Sequence, residues 1–270
     1  MDRKFSGSPI MSGAIHTTSD GTAIHFDQTQ GASARPTLIL IHGWTCRRTY
    51  WTPQLDHLKD RYPLLAPDLP GHGESPPGRS ERANLAGLAD SLVGLIREQA
   101  SGPVILLGHS MGGAVALEAA RQLGGLARGV ILADTFVIDY GGLDAGTQAH
   151  LYQTFADDFA GGIHWLIDNT SVEQTPEPLK ARLKREMAEA DPAWALPLWK
   201  SLLAWQPETV FPEVPCPIHA INGKLVPNTA RKRCKPYVNE VVMPRAGHFL
   251  QMEDPAGFNA LLDEALAKLK

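Results

Sequence analysis

Short apolar runs bounded by glycine and proline alternate along the chain with longer segments whose apolar residues recur at helical spacing, the pattern of a parallel sheet covered by helices. Runs at 14–17, 22–26, 37–41, 63–66, 104–107, 129–133, 217–221 and 240–243 predict strands, the first two joined as a hairpin around Asp20-Gly21. Helical periodicity predicts helices over 82–99, 111–123, 228–237 and 255–270, laid on both faces so that the strands are fully buried. The rhythm breaks over 139–207, where helical spacing continues without a strand-like run and four of the six tryptophans collect: Trp165, Trp194, Trp199 and Trp205. The chain is therefore expected to form a discontinuous core, 1–138 and 208–270, with an inserted helical cap over 139–207. Those tryptophans fit two roles, packing the cap onto the core and lining an apolar pocket for an acyl or alcohol group.

With 270 residues and 43% hydrophobic content the chain can bury one large core. Its 25 basic and 29 acidic residues leave a net charge of -4, which gives no electrostatic footprint for nucleic acid or an anionic membrane. The expected partner is a small neutral or apolar molecule. The basic run Arg231, Lys232, Arg233 and Lys235 reads as a solvated helix face. Cys46, Cys216 and Cys234 are odd in number and widely spaced, which predicts free thiols rather than a disulfide framework or a zinc site. No metal cluster, phosphate-cradling loop or dinucleotide fingerprint is evident, so no cofactor is expected. The opening MDRKFSGSPIMSG lacks the apolar centre of a signal peptide, and no later segment approaches the roughly 20 apolar residues of a membrane helix. These features predict a cytoplasmic protein with its first dozen residues loose.

The chemistry begins at Gly108-His109-Ser110-Met111-Gly112, a G-x-S-x-G pattern directly after the strand-like PVILL and directly before the helical MGGAVALEAARQL. A serine on a strained strand-to-helix turn is pushed out at the carboxyl end of the sheet, and its neighbours two positions away must be small so that backbone segments pass closely. Ser110 is thus the candidate nucleophile. A tetrahedral intermediate needs two preorganised N–H donors. The Met111 N–H, directly after the nucleophile, is one candidate; the other is the Trp44 N–H in His42-Gly43-Trp44, the loop after TLILI, with the Trp44 indole roofing the site.

HGW after one strand, DLPGHGES over 68–75 after the next, then GHSMGG and a late GHF, together resemble the α/β-hydrolase superfamily, and within it the esterase, lipase-like and C–C hydrolase branches that carry a helical cap. The resemblance spans nearly the whole chain and implies an α/β-hydrolase fold, with an eight-stranded, mostly parallel sheet flanked by helices, and a Ser-His-acid triad. The 68–75 loop reads as structural, its Gly and Pro residues favouring a tight turn.

A serine hydroxyl needs an imidazole to accept its proton, and the Ser, acid, His order of this fold leaves His150, His164, His219 and His248 after the nucleophile's motif. The first two fall in the expected cap and His219 sits inside the buried run PIHAI, whereas His248 stands in a loop between the last strand and the last helix. His248 is the candidate base. The acid departs from the commonest family pattern, an Asp after the seventh strand, where this chain has CPIHAINGKLVPN with Lys224 near the expected spot. Asp134, ending the run GVILAD beside the nucleophile's strand, is assigned instead, with Asp139 in reserve and Asn222, Asn228 or a bare dyad as alternatives. Serine rather than aspartate at the elbow argues against the alkylation chemistry of the family's dehalogenases and epoxide hydrolases. The expected activity is hydrolysis of a small or medium carboxylic ester through an acyl-enzyme. The alternatives on the same residues are C–C hydrolysis, perhydrolysis, lactone or amide cleavage, lyase chemistry assisted by Lys224, or a receptor-like binding protein with a degenerate triad.

Overall fold

The computed structural model describes residues 10–18, 20–31 and 34–269. Eight strands form one sheet: β1 (Met11–Thr17), β2 (Ala23–Thr29), β3 (Thr37–Ile41), β4 (Leu64–Pro67), β5 (Val104–His109), β6 (Ala127–Ala133), β7 (Ile218–Gly223) and β8 (Val238–Met243). Their spatial order is β1-β2-β4-β3-β5-β6-β7-β8. β3 to β8 are mutually parallel, while β2 runs antiparallel to both of its neighbours. Eleven α-helices follow in chain order among the described residues: α1 (Thr52–Leu58), α2 (Leu85–Gln99), α3 (Met111–Leu123), α4 (Ala145–Asp157), α5 (Phe159–Thr170), α6 (Glu177–Met187), α7 (Pro192–Leu203), α8 (Pro207–Val210), α9 (Asn228–Cys234), α10 (Leu250–Glu253) and α11 (Pro255–Lys268).

The central strands β3, β5 and β6 are the continuous apolar runs of the sequence, and from Leu38, Val104 and Gly129 onward every residue in them is buried. Burial fails at the two rims, contrary to the expectation for every strand: β1 exposes Met11 and Ile15, and β8 exposes Val241, because an edge strand is covered on fewer sides. Strand β1 also begins at Met11, inside the segment expected to be loose; the rest of that expectation concerns residues 1–9, outside the described residues. The turn after β1 closes as expected, Gly21 taking φ +88 and its N–H donating to Thr18 O at 2.9 Å.

Local signals set the helix boundaries. Asn84 caps α2 through the Gly87 N–H at 2.9 Å, so the helix starts three residues later than its periodicity suggested. Pro236 stops the segment of α9 short of Tyr237. Between β6 and β7 the chain is helical, α4 to α8, with Asp144, Asp158 and Asp191 accepting from the first turns of α4, α5 and α7. Trp194 and Trp205 fasten these helices to the rest: Trp194 Nε1 donates to Pro70 O at 2.8 Å and Trp205 Nε1 to Glu118 Oε1 at 3.0 Å. No helix among the described residues is long and apolar enough to cross a membrane.

Candidate active site

The register of β5 on β6 pairs His109 with Ala133, so the next residues, Ser110 and Asp134, leave the sheet side by side at its carboxyl end. Ser110 takes φ 54, ψ -124, and its N–H donates to Ala133 O at 3.0 Å. A Cβ on Gly108 would collide with the backbone of Gly112, and one on Gly112 with the carbonyls of Ile41 and His42, which is why the elbow carries glycine at both positions. Among the described residues three non-glycines have positive φ: Thr45, Ser110 and Asp134. Ser110 and Asp134 directly follow β5 and β6, and Thr45 follows Trp44 in the loop after β3; each such conformation costs about 1–3 kcal/mol that the surroundings must offset.

Asp134 is fully buried and both its carboxylate oxygens are engaged: Oδ1 accepts the Gly223 N–H at 2.6 Å, and Oδ2 lies 2.7 Å from His248 Nδ1. A carboxylate can only accept here, so Nδ1 of His248 carries the proton and Nε2 keeps its lone pair. The loop holding His248 crosses from β8 over the end of β7, with Lys224 N–H donating to Ala246 O at 2.9 Å. It is fixed on three further sides. His248 N–H donates to Thr170 O at the end of α5 (2.9 Å), and His109 Nε2 donates to His248 O (2.9 Å). The Glu253 carboxylate on α10 accepts from Gly247 N–H (2.7 Å), Phe249 N–H (3.0 Å) and the Thr175 hydroxyl (3.1 Å).

On the opposite side, Trp44 follows β3 in a loop braced from behind. His42 Nδ1 donates to Gly43 O at 2.8 Å while Nε2 accepts the Leu69 N–H at 3.0 Å, and burial lowers its pKa to about 4. Both ring nitrogens are thereby committed to the neutral form. The Trp44 indole stacks on Trp199 (centroids 4.8 Å apart), meets Phe155 edge-on (5.0 Å) and donates from Nε1 to Ala195 O at 2.9 Å. The Trp44 N–H donates to no backbone acceptor among the described residues, and neither does that of Met111, which as first residue of α3 has no acceptor within its helix.

Ser110 and His248 line one small cavity, walled by Trp44, Ile138, Leu166, Met187, Trp199 and Phe249. About 20 Å³ of it is open to a water-sized occupant, room for one water molecule. Cys46 also borders it; its thiol donates to Trp44 O at 3.3 Å, and burial pushes its pKa far above the usual thiol range, so it stays protonated. A larger cleft, about 900 Å³ and lined by Arg35, Tyr62, Pro103 and Arg128 among others, opens at the amino ends of the parallel strands, away from these residues.

The other candidates lie elsewhere. Asp139 is held by Arg233 Nη2 and the Thr229 hydroxyl, each at 2.5 Å. Asn222 donates to Glu240 at 2.7 Å, Asn228 is exposed at the start of α9, and Lys224 is exposed and absent from the cavity lining. Of the four tryptophans of 139–207, Trp199 lines the cavity, Trp194 and Trp205 pack, and Trp165 is exposed. The basic run is not a uniformly solvated face: Arg231 pairs with Glu240 (3.0 Å), and Arg233 pairs with Glu208 (2.7 Å) and Asp139. In the 68–75 loop, Asp68 binds the Arg48 guanidinium and accepts the Arg48 and Glu74 N–H groups at 2.6 and 2.9 Å, a structural role. The sequence reading missed His109 and Glu253. His109 stands at the variable position of G-x-S-x-G, and nothing in the order GHFLQME marks the last glutamate as a clamp.

Comparison with known proteins agrees with this architecture. The family model described as "Alpha/beta hydrolase family" matches residues 38–261, and the chain belongs to that family. It is 36% identical over 141 residues to the pimeloyl-[acyl-carrier protein] methyl ester esterase of Methylococcus capsulatus, a match covering 50% of each chain. Among solved structures it is similar to an esterase of Exiguobacterium antarcticum (TM-score 0.83, 18% identity, covering 94% of this chain and 99% of that one). It is also similar to a thermophilic esterase of Thermogutta terrifontis (TM-score 0.80, 25% identity, covering 95% and 98%). The matched stretch spans half or less of the curated relatives' length.

Proposed function

We propose that the protein is a serine hydrolase that cleaves a small, uncharged carboxylic ester through an acyl-enzyme on Ser110. The observation that carries this reading is Asp134 Oδ2 2.7 Å from His248 Nδ1, with Ser110 and His248 bordering one apolar cavity. Ser110 Oγ attacks the ester carbonyl carbon as its proton passes to His248 Nε2, while Asp134 stabilises the imidazolium. The Met111 and Trp44 N–H groups receive the oxyanion. The C–O bond breaks, the alcohol leaves with the proton from His248, and a water molecule activated by the same nitrogen releases the acid. The positive end of α3 lies at the site of developing charge.

Uncharged substrates are favoured because the cavity wall carries no lysine, arginine or carboxylate to pair an ionic group. A space that holds one water cannot hold an ester, so α4 to α7 act as a cap that shifts on entry. Ester cleavage also agrees with the named activities of the M. capsulatus, E. antarcticum and T. terrifontis proteins. Mixing the protein with excess p-nitrophenyl acetate is expected to give a burst of p-nitrophenol close to one equivalent, absent in Ser110→Ala. Turnover retained by that variant would remove the proposal.

A further inference from the structure

The cavity that Ser110 and His248 line is also walled by Tyr140, the one other hydroxyl-bearing residue in its lining. The Tyr140 side chain is 1% exposed, and no hydrogen bond influences its phenol, which burial alone pushes well above its usual pKa. A phenylalanine would fill the same space, so what the tyrosine adds at this wall is a hydroxyl that no protein group among the described residues engages.

Its backbone is held on both sides. Arg233 Nη2 donates to Tyr140 O and to Asp139 Oδ1, each at 2.5 Å, and Arg233 Nη1 donates to Glu208 Oε1 at 2.7 Å. Tyr140 N–H donates to Ile138 O at 2.8 Å, and the chain turns away at Gly141 with φ +85. A rigidly placed, unpartnered donor in an apolar pocket without ionic groups is suited to recognise one uncharged polar atom.

Resting on the serine hydrolase reading, we propose that the Tyr140 hydroxyl is a specificity-determining donor that binds an uncharged oxygen of the substrate outside the scissile ester, a hydroxyl, keto or ether oxygen. The preferred substrate is then an oxygenated ester rather than a plain alkyl ester, since only the former pairs the buried phenol.

The test compares Tyr140→Phe with the unaltered protein on two matched pairs, methyl 3-hydroxybutyrate against methyl butyrate, and 2-methoxyethyl butyrate against butyl butyrate. The first pair reads an oxygen on the acyl side and the second one on the alcohol side. The unaltered protein is expected to favour the oxygenated member of at least one pair by about tenfold or more in kcat/KM. Tyr140→Phe should erase that preference by slowing the oxygenated ester, with the alkyl ester within about twofold, and Tm should hold or rise. Absence of a preference in the unaltered protein, an equal loss on both members, or a fall in Tm would each overturn the assignment. Phosphonylation of Ser110 by a fluorophosphonate should be unchanged in the variant. Its loss in the variant alone would put Tyr140 in the chemical step and overturn the assignment, whereas its absence in both proteins would sink the serine hydrolase reading and the assignment with it.

Discussion

Thr45, Ser110 and Asp134 hold left-handed backbones beside the donor loop, the proposed nucleophile and the proposed acid. Strain of that kind persists where the surroundings over-determine it, and here the brace for Asp134 is visible: the sheet takes its N–H and the Gly223 N–H takes one carboxylate oxygen. The remaining oxygen is aimed at His248 and sets its tautomer. Asp134→Asn keeps the shape but presents a donor or a weaker acceptor to the imidazole. The expected result is a fall in kcat of about 10⁴-fold with Tm changed by only a few degrees. Equal activity of the variant and the unaltered protein in steady-state assays would contradict the role given to Asp134.

Helix α10 is a single turn, yet its Glu253 ties together the loop of His248 and the segment after α5. The carboxylate accepts N–H groups on both sides of His248, so the imidazole is positioned by the main chain flanking it. Glu253→Gln retains one accepting oxygen and is expected to lower kcat by about tenfold with KM little changed, as hydrogen bonds to a charged acceptor become neutral ones. An unaltered kcat would show that the loop holds its place without the clamp. Above the site, Leu166 on α5 borders the cavity at 7% exposure. Leu166→Ala is expected to extend activity to longer acyl chains in a chain-length series while costing about 2–3 kcal/mol in stability. A chain-length profile identical to that of the unaltered protein would contradict a role for α5 in walling the substrate space.

The fold was legible because its signals are local: apolar runs spell β3, β5 and β6, and the elbow announces itself within five residues between a strand and a helix. The placement of Asp134 beside His248 was legible for a related reason, its position at the end of the strand adjacent to that of Ser110. Contacts made across the chain left no such mark. Glu253 and Tyr140 gain their positions from turns and pairings that no periodicity records, and Arg233 sits in a run that reads as solvated although it fastens the Tyr140 segment. The unseen rim exposure of β1 and β8 has the same origin, since strand order, not strand sequence, decides which strands are edges.

Three buried histidines also couple the molecule to pH. Burial lowers His42 to about 4 and His72 to about 3 from an ordinary 6.5, and it lowers His109 as well. The unfolded chain takes up protons below pH 6.5 that the native state refuses, so their contribution is full above that pH and is lost as pH falls. Each is expected to remove about 1.4 kcal/mol per pH unit over its interval. Urea unfolding at successive pH values should show stability falling steeply from pH 6.5 towards 4, and a flat profile there would contradict the burial of neutral imidazoles.

Covalent labelling by a fluorophosphonate, mapped by peptide mass spectrometry, asks most directly whether serine, imidazole and carboxylate act together. The account predicts a single phosphonylated residue, Ser110, with labelling abolished in His248→Ala and much slowed in Asp134→Asn. A label on another residue such as Cys46, or on Ser110 at the same rate in all three proteins, would contradict it.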